Sequence, residues 1–306
     1  MNRYRAGAIG LRLLSLFIVF SAAFVALRLL PGDPVTAELI QSGADQSVID
    51  AQRRALGLDQ PLIVQYGRAM LGLFTGDLGQ SLVSGVQVRD LIAAALGHTL
   101  ALAGASALVA LTLGLTLGVV SGAGGRGLGS VASAVTAAAL SVPIYWSGTL
   151  AVLLFSVWLN ILPSSGSDSL AHLILPAAVL GFHAAGAVAR STHLIMRETL
   201  AADHVRTARA KGLSRLQVLL NHALRTAAAP LVAIAALQIG FLLSGTVVIE
   251  TLFVRPGLGR LLLDAALRRD YPVALGAVII IAGIYLLITS AADWIIPLVD
   301  PRIRTP

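Results

Sequence analysis

The sequence has no cysteine and little charge. Without cysteine, its 306 residues offer no disulfide, thiol nucleophile or thiolate metal site. Charged residues make up 12% of the chain, whereas a soluble domain carries about a quarter. The hydrophobic share is 57% and the mean hydropathy is +0.85. These values exclude an ordinary soluble domain and indicate a polytopic membrane protein.

The sequence also lacks the common motifs of enzymes. It contains no G-x-x-x-x-G-K-[ST] phosphate loop, no G-x-S-x-G and no H-E-x-x-H. We therefore expect neither ATP hydrolysis nor a bound cofactor or metal in this chain itself, and a membrane-embedded enzyme is a remote alternative. The isoelectric point of about 10.7 reflects basic membrane loops rather than binding to nucleic acid.

Six apolar stretches predict an all-α protein with six transmembrane helices. They cover residues 9–30, 98–121, 131–159, 170–194, 227–250 and 272–297. Most basic residues lie on one side of this arrangement, which places both termini in the cytoplasm. Four arginines in the 251–271 loop oppose that orientation. The predicted domains are 1–30 with the first helix, a long extracytoplasmic loop at 31–97, and a transmembrane core at 98–306.

The predicted 31–97 loop contains two helix-like stretches, "SVIDAQRRALG" and "VQYGRAMLGLFTGDLG". A loop of this length usually has a function. It either contacts a substrate or delivery protein, or it is a solvated cap over the helix ends. Further along, the small residues of "LAGASALVALTLGLTLG" allow close contact between helices.

Few ionisable residues fall inside the predicted spans. No carboxylate lies at mid-span, which disfavours an ion-coupled secondary carrier but leaves it open. His183 is the most central ionisable residue, and it either lines a translocation path or hydrogen-bonds to a neighbouring helix. Pro143 breaks the third span, with Ser141 nearby to satisfy freed backbone groups. This break either shapes the path or serves packing alone.

The segment "HVRTARAKGLSRLQVLLNHALR" at 204–225 interrupts the apolar pattern and holds the only lysine, Lys211. Asp203 is predicted to cap a short helix, and Gly212 to end it in a left-handed conformation. Ser214 and Gln217 then form a capping box for a second helix. A lipid anchor would explain the charge alone, whereas docking to a protein would also explain the caps and the turn, which we favour. The small Ala208 and Ala210 would let the partner approach closely.

This segment resembles the EAA-type loop of ABC importer permeases, in the form "TARAKGLS…HALR" found in their peptide/nickel branch. Gly212 and Ala208 match the motif glycine and alanine, whereas Arg206 and Thr207 replace its Glu-Ala. Similar stretches extend over nearly the whole chain: "LRLLPGDP", "LGLDQPLIVQYGR", "GDLGQSL", "SVPIYW", "LPSSG", "ILPAAVL", "VVIETLFVRPGLGRLLLDAALRRDYP" and "DPRIR". Their order and spacing make the resemblance specific.

The resemblance implies an inner-membrane permease that pairs with a second permease or with itself. Two cytoplasmic subunits would bind ATP and Mg²⁺, and an extracytoplasmic binding protein would deliver the cargo. The loop at about 198–225 would supply the coupling helix that docks on an ATPase, through Arg206, Thr207, Ala208, Arg209, Ala210, Lys211, Gly212 and Leu213. The implied cargo is a di- or oligopeptide, with nickel or a nickel chelate as the alternative.

Overall fold

The computed structural model describes residues 2–29, 36, 45–125 and 127–299, and these residues form helices and turns without a β-strand. The α-helices are α1 Asn2–Leu29, α2 Gln46–Ala55, α3 Leu62–Thr75, α4 Val88–Ala123, α5 Leu128–Ser141, α6 Ile144–Ala151, α7 Ala171–Ala201, α8 Asp203–Ala210, α9 Arg215–Val218, α10 Leu224–Leu252, α11 Leu258–Leu267 and α12 Tyr271–Val299. Two π-helical segments, Val152–Trp158 and Leu219–Ala223, extend α6 and precede α10. The all-α prediction is confirmed.

Five helices within the described residues are long and apolar enough to cross a membrane. They correspond to five of the six predicted spans. The remaining predicted span, 131–159, is a pair of helices, Leu128–Ser141 and Ile144–Trp158, whose axes differ by 103°. The pair is either a broken span or a re-entrant segment, so the count is five or six. The sharp bend arises because proline cannot donate a backbone hydrogen bond and disfavours helical geometry in the residue before it.

The chain divides into two compact units. The first unit comprises Met1–His98 and Pro256–Ile284. Its α1 buries Phe20 and Phe24 against α3 and α12, and the Ser21 hydroxyl lies 2.7 Å from that of Tyr66. The buried carboxylate of Asp270 accepts hydrogen bonds from the Ser81 hydroxyl and the Leu82 N–H. Both helix-like stretches of the predicted loop are helical, as α2 and α3.

The second unit comprises Thr99–Arg255 and Tyr285–Pro306. Within it, glycines on one face of α4 let α7 approach at backbone distance. A Cβ added at Gly114 would lie 2.6 Å from the Cβ of Val188, and one at Gly118 would lie 2.3 Å from the Cβ of Thr192. Both distances are too short for a real side chain, so this contact requires glycine. The predicted close helix contact is confirmed at these two positions.

Candidate functional site: the cationic loop and the broken segment

The helix α8 begins at Asp203, one residue earlier than predicted. Ala202 has the extended N-cap conformation, with φ −70° and ψ 152°, and no side chain caps this helix end. The prediction that Asp203 is the cap is therefore wrong. Because Asp203 is already helical, its carboxylate instead accepts a hydrogen bond of 3.2 Å from Nη1 of Arg206.

The turn after α8 has the predicted form. Gly212 adopts φ +80°, and no atom lies within 4 Å of the position that a Cβ would occupy. The requirement for glycine is therefore conformational rather than steric. Both hydrogen bonds of the capping box are present, from Gln217 N–H to the Ser214 hydroxyl and from Ser214 N–H to the Gln217 side chain. The predicted helix, turn and helix are confirmed.

One face of α8 packs against its own chain. Val205 and Ala208 are 0% and 3% exposed, and they form a small core with Val218 of α9. Leu200 and Leu213 are partly buried against the same core. Ala208 therefore does not face a partner in this conformation, contrary to its predicted role in letting one approach. Its small side chain lets α9 approach instead.

The opposite face of α8 is exposed and basic, and we call it the cationic face. It consists of Arg206, Thr207, Arg209, Ala210 and Lys211. Exposed ion pairs contribute little to stability, so the pair of Arg206 with Asp203, at 3.2 Å, orients the guanidinium more than it stabilises the helix. The cationic face presents its two arginines to solvent on a helix of only eight residues, and its lysine at the C-cap of that helix.

The residues assigned to a possible translocation path lie at the break between α5 and α6. Ser141 and Pro143 are exposed there, and Pro143 occupies the N-cap of α6. Nε2 of His183, on α7, lies 2.6 Å from Oγ of Ser147 on α6. The expected bond of histidine to a neighbouring helix is therefore present. The hydroxyl of Ser141 makes no hydrogen bond to any described residue, so it does not satisfy the freed backbone groups.

Sequence reasoning missed a second polar cluster, near the end of α10. Nη1 of Arg255, which is 3% exposed, donates to the carbonyl oxygens of His172 at 2.9 Å and Gly166 at 3.3 Å. The N–H of Gly166 donates in return to the carbonyl of Phe253 at 3.0 Å. Burial lowers the pKa of Arg255, and the charge of Glu250 acts in the opposite direction.

Arg255 was counted among the loop arginines that opposed the predicted orientation. It is buried and bound to carbonyl groups, so it is not a solvated loop charge. The sequence signal that could have indicated this buried arginine is "VVIETLFVRPG", in which a glutamate and an arginine stand five residues apart within apolar sequence.

Comparison with known proteins assigns the family. Residues 114–305 match the family described as binding-protein-dependent transport system inner membrane component. The chain is 39% identical over 292 residues to the glutathione transport system permease protein GsiC of Escherichia coli O6:H1, covering 95% of each chain. It is 40% identical, over the same length and coverage, to the protein of that name from Salmonella paratyphi A.

A solved structure shares the fold. A chain of the inward-facing MetNI methionine ABC transporter superposes with a TM-score of 0.60 at 21% identity, covering 69% of this chain and 97% of that chain. The family match, the identity over nearly the full length and the helical fold agree with one another. The chain belongs to the binding-protein-dependent transport system inner membrane components and is a multi-pass permease subunit of an ABC importer.

Proposed function

We propose that this permease passes small peptides, including peptide-like molecules of the size of glutathione, across the cytoplasmic membrane. The observation that carries this proposal is the 39–40% identity, over 95% of the chain, to permeases of glutathione transport systems. Glutathione is a tripeptide, so its transport falls within the peptide class that the sequence motifs imply. Because the chain belongs to an ABC importer family, we no longer propose an ion-coupled carrier.

The coupling helix in this proposal is α8. Its buried face holds it to α9, and its cationic face is free to enter a groove on an ATP-binding subunit. Two such subunits bind ATP and Mg²⁺, and a second permease, or another copy of this one, completes the membrane part. This places 198–225 and both termini in the cytoplasm and the 31–97 loop on the other side. A substrate-binding protein delivers the cargo on that side.

The proposed path passes the break between α5 and α6. There the chain exposes Ser141, Pro143 and the aromatic side chains of Tyr145 and Trp146. A segment bent by 103° places non-helical backbone beside polar groups. Such backbone is tolerated at membrane depth only where protein or a water-filled cavity surrounds it. That property supports its assignment to a path rather than to the lipid-facing surface.

The test is uptake into vesicles that contain the permease with its partner subunits and binding protein. Labelled glutathione, a labelled dipeptide and a labelled nickel chelate are compared, each with ATP, with a non-hydrolysable ATP analogue and with an imposed proton gradient alone. ATP-dependent uptake of either peptide is the expected result. ATP-dependent uptake of the nickel chelate alone would show that the cargo is nickel rather than a peptide. Gradient-driven uptake without ATP would contradict the ATP-driven mechanism.

A further inference from the structure

The first compact unit contains a cavity of about 470 Å³, which we call the α1–α12 cavity. Its lining comes from α1, the connection between α2 and α3, α3 itself, the turn at 77–82 and the start of α12. None of the lining residues belongs to the cationic loop or to the break between α5 and α6. The volume falls within the range of small-molecule sites, about 300–1,000 Å³.

The lining of the cavity changes from polar to apolar along α1. Arg28 lines one end, and Phe20 lines the other, eight residues or about 12 Å along the helix. Phe24 lies between them, and Leu275 and Ile279 of α12 pack with both phenylalanines. Both helices are long and apolar enough to cross a membrane. The apolar end therefore lies at hydrocarbon depth, and Arg28 lies near the headgroups.

Hydrogen bonds and ring contacts hold the walls of the cavity in place. The buried carboxylate of Asp270 accepts from the Ser81 hydroxyl and the Leu82 N–H, which fixes the 77–82 turn to the start of α12. On the other side, the ring of Tyr66 on α3 meets that of Phe24 edge-on, with centroids 5.3 Å apart. The cavity is therefore preformed, as ligand sites usually are.

Arg68 of α3 supplies a positioned guanidinium to the lining. Its Nη1 lies 2.7 Å from the position that a Cβ of Gly57 would occupy, so the group lies where only glycine leaves room. No hydrogen bond or ion pair joins Arg68 to any residue that the structure describes. A guanidinium in this state offers its fork of N–H groups to the oxygens of a carboxylate or phosphate.

The charges of the lining favour an anion. Arg28 and Arg68 contribute two positive charges, and Asp77 contributes one negative charge. The carboxylate of Asp77 accepts a hydrogen bond of 3.0 Å from the Gly79 N–H, so part of it is occupied by the turn. The guanidinium of Arg28 lies over the ring of Tyr271, 4.2 Å from the centroid, which keeps its charge at this end of the cavity.

We propose that the α1–α12 cavity binds one anionic phospholipid, whose phosphate accepts hydrogen bonds from Arg68 and whose acyl chain packs on Phe20 and Phe24. Basic pockets beside spanning helices are suited to lipid headgroups. A free phosphate ion would leave the apolar end unfilled. A peptide is the weaker fit because that end lies at the depth of lipid chains. This inference goes beyond the proposed function and holds whichever cargo is carried.

The test measures lipid binding to the permease assembled with its partner subunits, after delipidation in detergent. Palmitoyl-oleoyl phosphatidylglycerol is titrated and followed by native mass spectrometry, and phosphatidylcholine with the same chains is the neutral comparison. Inorganic phosphate and glutathione, each in large excess, are added as competitors. Gel filtration of every variant confirms that the complex is assembled.

We expect Arg68→Gln to weaken phosphatidylglycerol binding about tenfold, because a charge-assisted hydrogen bond is lost. Arg68 is exposed, so this variant should assemble normally. Ala69→Leu, which adds volume to the lining but keeps both arginines, should also weaken binding by displacing the acyl chain. The matched control is Arg54→Gln, at an exposed arginine of α2 outside the cavity, and it should bind as the unmodified protein does.

Four results would overturn the proposal. Phosphatidylglycerol binding that is unchanged in Arg68→Gln would exclude this cavity as the lipid site. Equal binding of phosphatidylcholine and phosphatidylglycerol would remove the role of charge. Displacement by inorganic phosphate, with Ala69→Leu without effect, would show a simple anion site. Displacement by glutathione would assign the cavity to cargo instead of lipid.

Discussion

Thr99 and Glu250 are joined by a hydrogen bond of 2.6 Å, from the threonine hydroxyl to Oε1 of the carboxylate, at a site where both side chains are at most 1% exposed. The bond connects α4 to the last turn of α10. A carboxylate removed from water requires such donors, because an unsatisfied buried charge is strongly destabilising. Glu250 therefore connects the end of α10 to α4.

We predict that Thr99→Val lowers the apparent melting temperature of the detergent-solubilised protein. It removes a donor and leaves the carboxylate buried, which costs about 1–3 kcal/mol. Thr116→Val is the matched control on the same helix, because Thr116 is exposed and bonds only to the carbonyl of Thr112. Equal shifts for the two variants would contradict a stabilising role for the bond to Glu250.

We predict that Arg255→Lys loosens the 160–172 connection. Both contacts come from Nη1. A lysine side chain ends one atom short of that position, so it cannot reproduce the contacts with the carbonyls of Gly166 and His172. Hydrogen–deuterium exchange at the Gly166 amide, which bonds to Phe253, should become faster. The exposed Arg268 provides the control, and Arg268→Lys should not change that exchange. Unaltered exchange in Arg255→Lys would show that Arg255 does not hold the connection.

We predict opposite effects of alanine at two glycines of α4. At Gly118 a Cβ would meet the Cβ of Thr192 at 2.3 Å, whereas at Gly104 it would meet nothing within 4 Å. Gly118→Ala should lower thermal stability by separating α4 from α7. Gly104→Ala should be neutral or raise stability, since alanine favours a helix by about 0.5–1 kcal/mol. Thermal unfolding of both variants in the same detergent tests this prediction, and comparable melting temperatures would refute the close contact.

We predict that Gly212→Val uncouples ATP hydrolysis from transport. The φ of +80° is strained for a β-branched residue, at a cost of about 1–3 kcal/mol. Because a Cβ there meets no neighbour, the expected perturbation is backbone strain. Gly212→Asn should be nearly normal and Gly212→Ala intermediate. Coupled transport in Gly212→Val equal to that of the unmodified protein would refute the role of this turn.

We predict that charge reversal on the cationic face weakens association with the ATPase. The double variant Arg209→Glu, Lys211→Glu should insert into the membrane normally and recover less ATPase on co-purification, with the loss greatest at low salt. Arg54→Glu reverses the charge of an exposed arginine on α2, outside the 198–225 segment. The ATPase should co-purify with this variant as it does with the unmodified protein. Full recovery of the ATPase by the double variant would exclude the cationic face as its docking surface.

Local signals allowed the cationic loop to be predicted in detail. Gly212 and the pair of Ser214 and Gln217 each specify a backbone conformation from their own chemistry, and the structure has both. The start of α8 was placed one residue too late, because aspartate is favourable both at the N-cap and in the first helical turn. Which face of α8 is buried could not be predicted, since Ala208 is small enough to suit either a partner or the chain's own α9.

Long-range contacts explain the other differences between the sequence-based predictions and the structure. Pro143 indicated a break but not a bend of 103°, because the angle depends on how α6 packs between other helices. The bond of Arg255 to carbonyls on a segment more than eighty residues earlier leaves no local trace beyond a charge in apolar sequence. Ser141 was nearest to the break in sequence, yet the side-chain hydrogen bond between helices there joins Ser147 to His183 on another helix.

The anchoring of α8 has a mechanical consequence. Val205 and Ala208 fasten the helix to Val218, and Val218 is followed directly by the π-helical segment that leads into α10. A force applied to the cationic face therefore acts on α10 through packed side chains rather than through a flexible connection. A displacement of α8 would therefore be passed to Val218 and the start of α10 through side-chain contacts.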